Sequence, residues 1–520
     1  MSYGRYSPVP LNRWEKSLCW FIWIAHSAAA FVATIMVSRT KLKHNQFWFS
    51  ESSYIADAKM DLTDLEWLHF RNTILQEVLH HCLHSVIFFL VIRFVTTKWV
   101  KLALSLVGLL IHVHMTSPQC VLILTTVSIV VTSLSIYTRH IAVPWVLCLA
   151  VVMRGTRVFP FSKRGFDYYL EFNAYMYGAI KILNFSLHMC KNKELKYADV
   201  WKDHLAYMGY LPYSSTLIVL FDDFSRQLER RLNNFAVAID GTHLRFTGWF
   251  AIRILFWYFV YEFILHIIYA PSVFHSPFSD ISGLNNYEVA AVAYVAGTLF
   301  YMKYVVIFGV PAAFAYLDGM RPPPPPICNS RVSRYSLMWR HFDVGLYQFL
   351  KNQVYIPLLK IPLSPFLSVV RIFCTLVAVF GVVLSWHGFK TNYICWVSLS
   401  ALELIIERLG RVIWNTVHFQ LLRQRIGEIN TRRVVAAGML ATVIPGIFGV
   451  FFFLGEQGIG AVVFQRVLID GGIDFIKGNI FLSSDSDALV FIHLIILGYF
   501  FNHVCLDFEA KYEPKKAAEE

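Results

Sequence analysis

Apolar runs dominate the chain, at residues 18–37, 82–96, 99–115, 119–137, 141–153, 249–270, 288–316, 362–386, 391–406, 434–454 and 488–507. A helix needs about 20 apolar residues to cross a bilayer, and in lipid every backbone N–H and C=O must find its partner within the chain. Such runs predict an all-α polytopic membrane protein with about ten transmembrane helices plus re-entrant segments. Of 520 residues, 15% are charged, against about 25% in a globular domain. The apolar run from Leu18 to Val37 follows Arg13 and Lys16. It exceeds the roughly 7–15 residues of a cleaved signal's apolar core, so it reads as a signal-anchor helix. Residues 1–520 are expected to form a single membrane-embedded domain.

The formal charge of +12 does not point to nucleic acid, because no basic fold motif accompanies it. The cations lie in short loops between apolar runs (Arg154, Arg157, Lys163 and Arg164; Arg408, Arg411, Arg423, Arg425, Arg432 and Arg433). That is the positive-inside distribution, and anionic lipid or an anionic cytosolic substrate can use the same charge. Residues 38–80 read as a polar segment whose acidic half, Asp57, Asp61, Asp64 and Glu66, suits the lumenal side. The aromatic and charged stretch from Asp167 to Cys190 reads as an interfacial or re-entrant helix. Pro212, followed by Ser214, Ser215 and Thr216, marks a broken helix at 205–221, which lipid tolerates only where it lines a cavity.

Asp222 to Arg231 reads as a solvated amphipathic helix, and Pro322–Pro326 must leave helix for extended polyproline geometry. Nine scattered cysteines without paired spacing indicate neither a disulfide framework nor a zinc site. The absence of an internal repeat weighs against a transporter. Glu403 and Glu407, one helical turn apart, are expected to pair with Arg408 or Arg411.

Chemistry concentrates in two places. His387 follows a long apolar run; an imidazole there titrates near neutrality and can take a proton from an amine or thiol. Asp343 follows Trp339, Arg340 and His341. Its carboxylate can hold an amine, orient an imidazole, relay a proton, or pair with Arg340 three residues back. Arg331, Arg334, Arg340 and Lys351 are candidates to clamp phosphate, which arginine binds bidentately; positive-inside topology is the alternative. Trp339 on its own reads as an interfacial tryptophan. Cys328 stands just after the prolines and reads as an inert thiol or a palmitoylated juxtamembrane cysteine.

Tyr304–Pro311, Leu317-Asp318-Gly319, Met338–Leu346, Val354–Pro357 and Trp386-His387-Gly388 together resemble the membrane-bound O-acyltransferase superfamily, and within it the Hedgehog acyltransferase branch. The match is strongest over about 300–410. The resemblance implies a multi-pass enzyme of the endoplasmic reticulum, or of the Golgi, built around a through-membrane cavity. Such an enzyme takes palmitoyl-CoA from the cytosol and attaches the acyl chain by an amide bond to the N-terminal cysteine of a secreted Hedgehog-family protein. In insects EGF-receptor ligand precursors are also acceptors.

The resemblance further implies that His387 and Asp343 are essential and meet in the cavity, that Trp339 is an aromatic gate beside the donor, and that Cys328 ligates the iron of haem b in a structural role. No catalytic metal is implied, and without CxxCH no covalent haem attachment. Other members of the superfamily, acylating a serine hydroxyl or a lipid, share the histidine; Trp339–Gly345 favours the N-acyl branch. A non-catalytic relative would lack His387.

Overall fold

The structure, a computed structural model, describes residues 6, 8–42, 49–192, 197–233, 240–275, 281, 283–361, 365–455, 458–480 and 487–516. Helix α1 (Arg13–Thr40) leads into a two-stranded antiparallel hairpin, β1 (Phe49–Glu51) and β2 (Lys59–Asp61), with Ser50 opposite Met60. Next come α2 (Leu65–Phe94), α3 (Thr97–Met115), α4 (Pro118–Thr138), α5 (Ala142–Val158), α6 (Tyr168–Lys191), α7 (Tyr197–Gly209) and α8 (Phe221–Asn233). The middle of the chain holds α9 (Gly241–Ile264), α10 (Ala270–His275), α11 (Asn286–Leu317), α12 (Tyr335–His341) and α13 (Val344–Phe349). A π-helical stretch over Leu350–Tyr355 joins α13 to α14 (Ile356–Leu359). The C-terminal part contains α15 (Pro365–His387), α16 (Thr391–Trp414), α17 (Val417–Gly438), α18 (Leu440–Leu454), α19 (Ile459–Val463), α20 (Gly471–Lys477) and α21 (Asp487–Lys516).

Among the described residues, eight helices are long and apolar enough to cross a membrane: Arg13–Thr40, Leu65–Phe94, Thr97–Met115, Pro118–Thr138, Asn286–Leu317, Val370–His387, Val417–Leu454 and Asp487–Ala510. The all-α polytopic architecture expected from the apolar runs is therefore present. Of the further expected crossings, α5 is apolar but short over Ala142–Arg154. Helices α9 and α16 are interrupted by charge, at Arg253 and Glu262 and at Glu403 and Glu407 respectively.

Local chemistry sets the helix starts. Asp64 caps α2 by accepting from the Trp67 N–H at 3.1 Å, and Ser117 caps α4 by accepting from Cys120, with Pro118 in the first helical position. Asn285 and Glu288 form a reciprocal capping box at the start of α11. Two expectations are corrected here. The acidic segment ends at the Asp64 cap, so 65–80 is the first half of a 30-residue helix rather than a polar connector. The stretch Asp167–Cys190 is not interfacial: α6 is buried along nearly its whole length, and its tyrosines pack inside the bundle.

The Pro212 break is present as a 3-10 turn over Leu211–Tyr213, followed by buried non-helical chain at 214–220. This non-helical segment lies directly against α13. A Cβ on Gly345 would fall 3.1 Å from the carbonyl carbon of Ile218 and nearer still to its oxygen, so only glycine permits the approach.

Ion pairs tie distant parts of the bundle together. Lys303, buried in α11, meets Asp64 at 2.8 Å and Glu66 at 2.9 Å, and Tyr304 donates to the Glu66 carboxylate. Arg432, with no exposed surface, holds Asp507 at 2.8 Å and donates to the Val9 carbonyl, joining α17 to α21 and to the N-terminal segment. Such buried charges are retained only when paired.

Candidate active site

His387 is the last residue of α15. Gly388 follows at φ +98°, a left-handed conformation that glycine adopts without strain, and turns the chain towards α16. The Trp386-His387-Gly388 run thus places the imidazole at the end of an apolar helix. The imidazole enters an aromatic basket, with ring centroids 5.8 Å from Tyr393, 5.3 Å from Trp396 and 5.2 Å from Phe453. Among the described residues it makes no hydrogen bond, so its ring nitrogens remain available to a substrate.

Trp339, on α12, joins the same basket. Its indole stacks on Trp396 with centroids 5.6 Å apart and planes 19° apart, and meets Phe380 edge-on. Its Nε1 is buried without a hydrogen-bond partner. Phe342 stacks on Phe300 at 5.5 Å, and Phe300 in turn contacts Phe453. The basket therefore draws on α11, α12, α15, α16 and α18.

Asp343 is the N-cap of α13, and its carboxylate accepts from the Leu346 N–H at 2.9 Å. No ion pair joins it to Arg340 among the described residues, so the helix-neighbour pairing considered for it does not form. Asp343 and His387 do not touch. They flank one cluster: Tyr177 lies in the field of Asp343, and its ring meets Trp386 edge-on at 5.2 Å. Leu346, whose N–H caps onto Asp343, and His387 also line one narrow apolar slot of about 30 Å³, together with Trp145, Ile180, Phe349 and Val383.

The four candidate phosphate cations separate into two pairs. Arg334 donates to Glu509 on α21 from Nε at 2.9 Å and again from Nη2, and Arg331 lies over the Phe508 ring at 5.0 Å. These two hold the C-terminal helix. Arg340 and Lys351 instead both lie 5.9 Å from the Tyr347 ring centroid, and Arg340 Nε has no hydrogen-bond partner. They flank the helix that Asp343 caps, Arg340 on α12 before it and Lys351 on the π-helical stretch after it. Of the two glutamates, Glu407 accepts from the Ser336 N–H and meets Arg411 at 3.9 Å, as expected. Glu403 departs from the expectation: it is fully buried and neither oxygen has a partner.

Cys328 precedes the turn Asn329–Arg331 and is half-buried. Burial pushes its thiol up, opposed by hydrogen bonds to Ser330 and by the nearby Arg331 charge. Among the described residues no group of three His, Cys, Asp or Glu side chains could chelate a metal ion. A lone sulfur is nevertheless one recognised axial ligand set for haem iron, so the donor present fits that group.

Tyr177, Trp396 and Phe453 are not legible from the sequence, because aromatics at helical spacing look like core. Nor are the Lys303 ion pairs, whose partners lie more than 200 positions away in the chain.

A family model of the membrane-bound O-acyltransferase family matches residues 22–446. The chain is 24% identical over 491 residues to the mouse protein-cysteine N-palmitoyltransferase HHAT, covering 89% of this chain and 94% of that protein. It is 27% identical over 340 residues to the Drosophila melanogaster protein-cysteine N-palmitoyltransferase Rasp, covering 63% of each. A mouse HHAT-like protein is 25% identical over 316 residues, covering 57% of this chain and 59% of that protein.

Proposed function

Because the chain belongs to the membrane-bound O-acyltransferase family, we propose that it transfers palmitate from palmitoyl-CoA to the α-amine of an N-terminal cysteine on a secreted protein. The names of its HHAT and Rasp relatives support this acceptor chemistry. The observation that carries the reading is His387, a hydrogen-bond-free imidazole at the bottom of an aromatic basket shared with Trp339 and next to the Asp343-capped helix.

In this mechanism Arg340 and Lys351 bind CoA phosphate, and Trp339 shifts from Trp396 as the thioester arrives. The acyl chain takes the slot between α5, α6 and α15. That slot is far smaller than a long acyl chain, so donor binding parts α5 from α15. His387 removes a proton from the acceptor nitrogen as it attacks the thioester carbonyl. The tetrahedral adduct collapses with cleavage of the carbon–sulfur bond, and the proton held by His387 passes to the leaving CoA thiolate. The products are the amide and CoA–SH. Holding both reactants converts an encounter into a unimolecular step, and positioned proton transfer contributes about 10²–10⁴-fold. Asp343 positions this machinery by fixing the start of α13.

The acceptors proposed are Hedgehog-family proteins and EGF-receptor ligand precursors, acylated in the endoplasmic reticulum or Golgi. Incubating purified protein with labelled palmitoyl-CoA and a peptide bearing a free N-terminal cysteine tests the reading. Label should enter the free peptide and not its N-acetylated form; label in neither peptide, or equally in both, refutes it.

We extend the proposal to haem b at Cys328. Haem would supply a thiolate–iron bond that holds the loop after the prolines, and no catalytic step passes through it. A Soret band in the wild type that Cys328→Ala abolishes supports this; an identical spectrum in both, or no band in the wild type, removes it.

A further inference from the structure

Ionisable side chains crowd a seam between α2, α3 and α6 that the acyl-transfer chemistry does not use. His80, His81 and His84 lie on α2 and His112 on α3, and all four are buried. Such groups inside apolar helices are costly, and they mark pathways for ions and protons.

Three of these imidazoles are held in one tautomer. Nδ1 lies 2.6 Å from the Gln76 carbonyl in His80, 2.8 Å from the Glu77 carbonyl in His81 and 2.7 Å from the Gly108 carbonyl in His112. A carbonyl only accepts, so Nδ1 carries the hydrogen and Nε2 of the neutral ring presents a lone pair. His80 turns its Nε2 to Nδ1 of His114 at 2.7 Å. Nε2 of His81, Nε2 of His112 and Nδ1 of His84 are buried without a hydrogen-bond partner. His112 lies in the field of His80 and His81, and His84 in that of His81 and His112. Among the described residues no three of them could hold a metal ion, so water and protons are what these acceptors suit.

Both ends of the seam approach the surface. His114 is exposed at the end of α3, next to the turn where Ser162 donates to Gln119 at 2.6 Å. At the other end His84 Nδ1 lies 3.7 Å from the Asp318 carboxylate, which accepts from Tyr210 at 2.9 Å. Arg231 of α8 donates to the Asp318 carbonyl at 3.0 Å, and its neighbours Glu229 and Arg230 are exposed. His80 and His84 are one helical turn apart, about 6 Å along α2. The closed part of the seam is therefore short. Two more ionisable groups face it: Glu77 accepts from Thr73 at 3.1 Å, and Lys181 donates to Ser214 at 2.8 Å.

We propose that this seam is a proton relay through the bundle, entered at His114 and His80, crossed on His112 and His84, and left through Asp318. His114 takes a proton on Nε2 and passes the one on Nδ1 to Nε2 of His80. Water carries a proton from His80 to the lone pair of His112, and from there to His84 Nδ1 and the Asp318 carboxylate, which releases it. One proton enters and one leaves, and the reverse direction uses the same atoms. Lys181 lies in the field of both His84 and His112; it repels a charge that stays on either, so the proton is passed on rather than stored. The relay is separate from the acyl-transfer centre, and it stands or falls independently of that reading.

The test reconstitutes the purified full-length protein in liposomes that enclose the pH dye pyranine. Valinomycin and an outward potassium gradient set an inside-negative potential. The interior should acidify faster than in protein-free liposomes, and sodium, followed with an enclosed sodium dye, should not enter. His112→Gln and His84→Gln keep polar side chains that cannot carry a proton, and each should return the rate to the protein-free level. Both variants are checked for a wild-type elution profile, and either one suffices if the other fails to fold. Acidification no faster than in protein-free liposomes, undiminished acidification in a folded variant, or sodium entry as fast as proton entry would overturn the proposal.

Discussion

Replacing Gly345 with alanine tests whether the backbone contact beneath Asp343 sets the catalytic geometry. The added Cβ would lie 3.1 Å from the Ile218 carbonyl carbon and 3.2 Å from its Cβ, with the carbonyl oxygen nearer still. Carbon atoms at rest sit about 3.5–4.0 Å apart, so α13 or the non-helical 214–220 segment must retreat by roughly 1 Å. The segment is buried on all sides, and α13 carries the Asp343 cap, so α13 is the element that shifts. Overpacking of this size costs about 1–3 kcal/mol, which leaves a folded protein. A misplacement near 1 Å costs about 10²-fold in rate. Gly345→Ala should therefore lower kcat/KM about hundredfold while melting only a few degrees earlier, measured by palmitoyl transfer to an N-terminal-cysteine peptide and by differential scanning fluorimetry. Gly381→Ala in α15 is the control, since nothing lies within 4 Å of its added Cβ; it should keep full activity. Wild-type turnover in folded Gly345→Ala would refute the reasoning.

Arg340→Met should raise the KM for palmitoyl-CoA about tenfold, the loss of one charge-assisted contact, with kcat unchanged. Arg334→Met should leave that KM alone and instead lower the melting temperature, because it removes the two guanidinium contacts that tie the 329–338 segment to Glu509 on α21. Steady-state kinetics beside a thermal melt separate the two, and a shared phenotype would contradict the division of the four cations. Lys303→Met should destabilise the protein by about 3–5 kcal/mol, as expected when one member of a buried pair is removed. A melting temperature equal to the wild type would show that Asp64 and Glu66 need no cation.

The crossings and the His387 turn were open to sequence reasoning because their causes are local. Twenty apolar residues must form a helix in lipid, and glycine after His387 is what a left-handed turn requires. The buried α6 was not, since Glu171 and Lys181 suggest an interface. Their partners come from elsewhere in the chain: Glu171 accepts from the Ser162 N–H at 2.8 Å, and Lys181 donates to Ser214 at 2.8 Å. The same holds for the phosphate cations, where spacing placed four together but α21 captured two. Asp343 shows the remaining gap. Its residue type suggested several roles, and only the backbone showed that it caps a helix rather than pairing with Arg340.

The central claim is that His387 moves the proton in amide formation. Single-turnover transfer to an N-terminal-cysteine peptide, with excess wild-type protein or His387→Ala, tests it most directly when the product is challenged with hydroxylamine. The account requires hydroxylamine-resistant product from the wild type and a rate at least about 10²-fold lower from the folded variant. Hydroxylamine-labile product, or a variant as fast as the wild type, would contradict it.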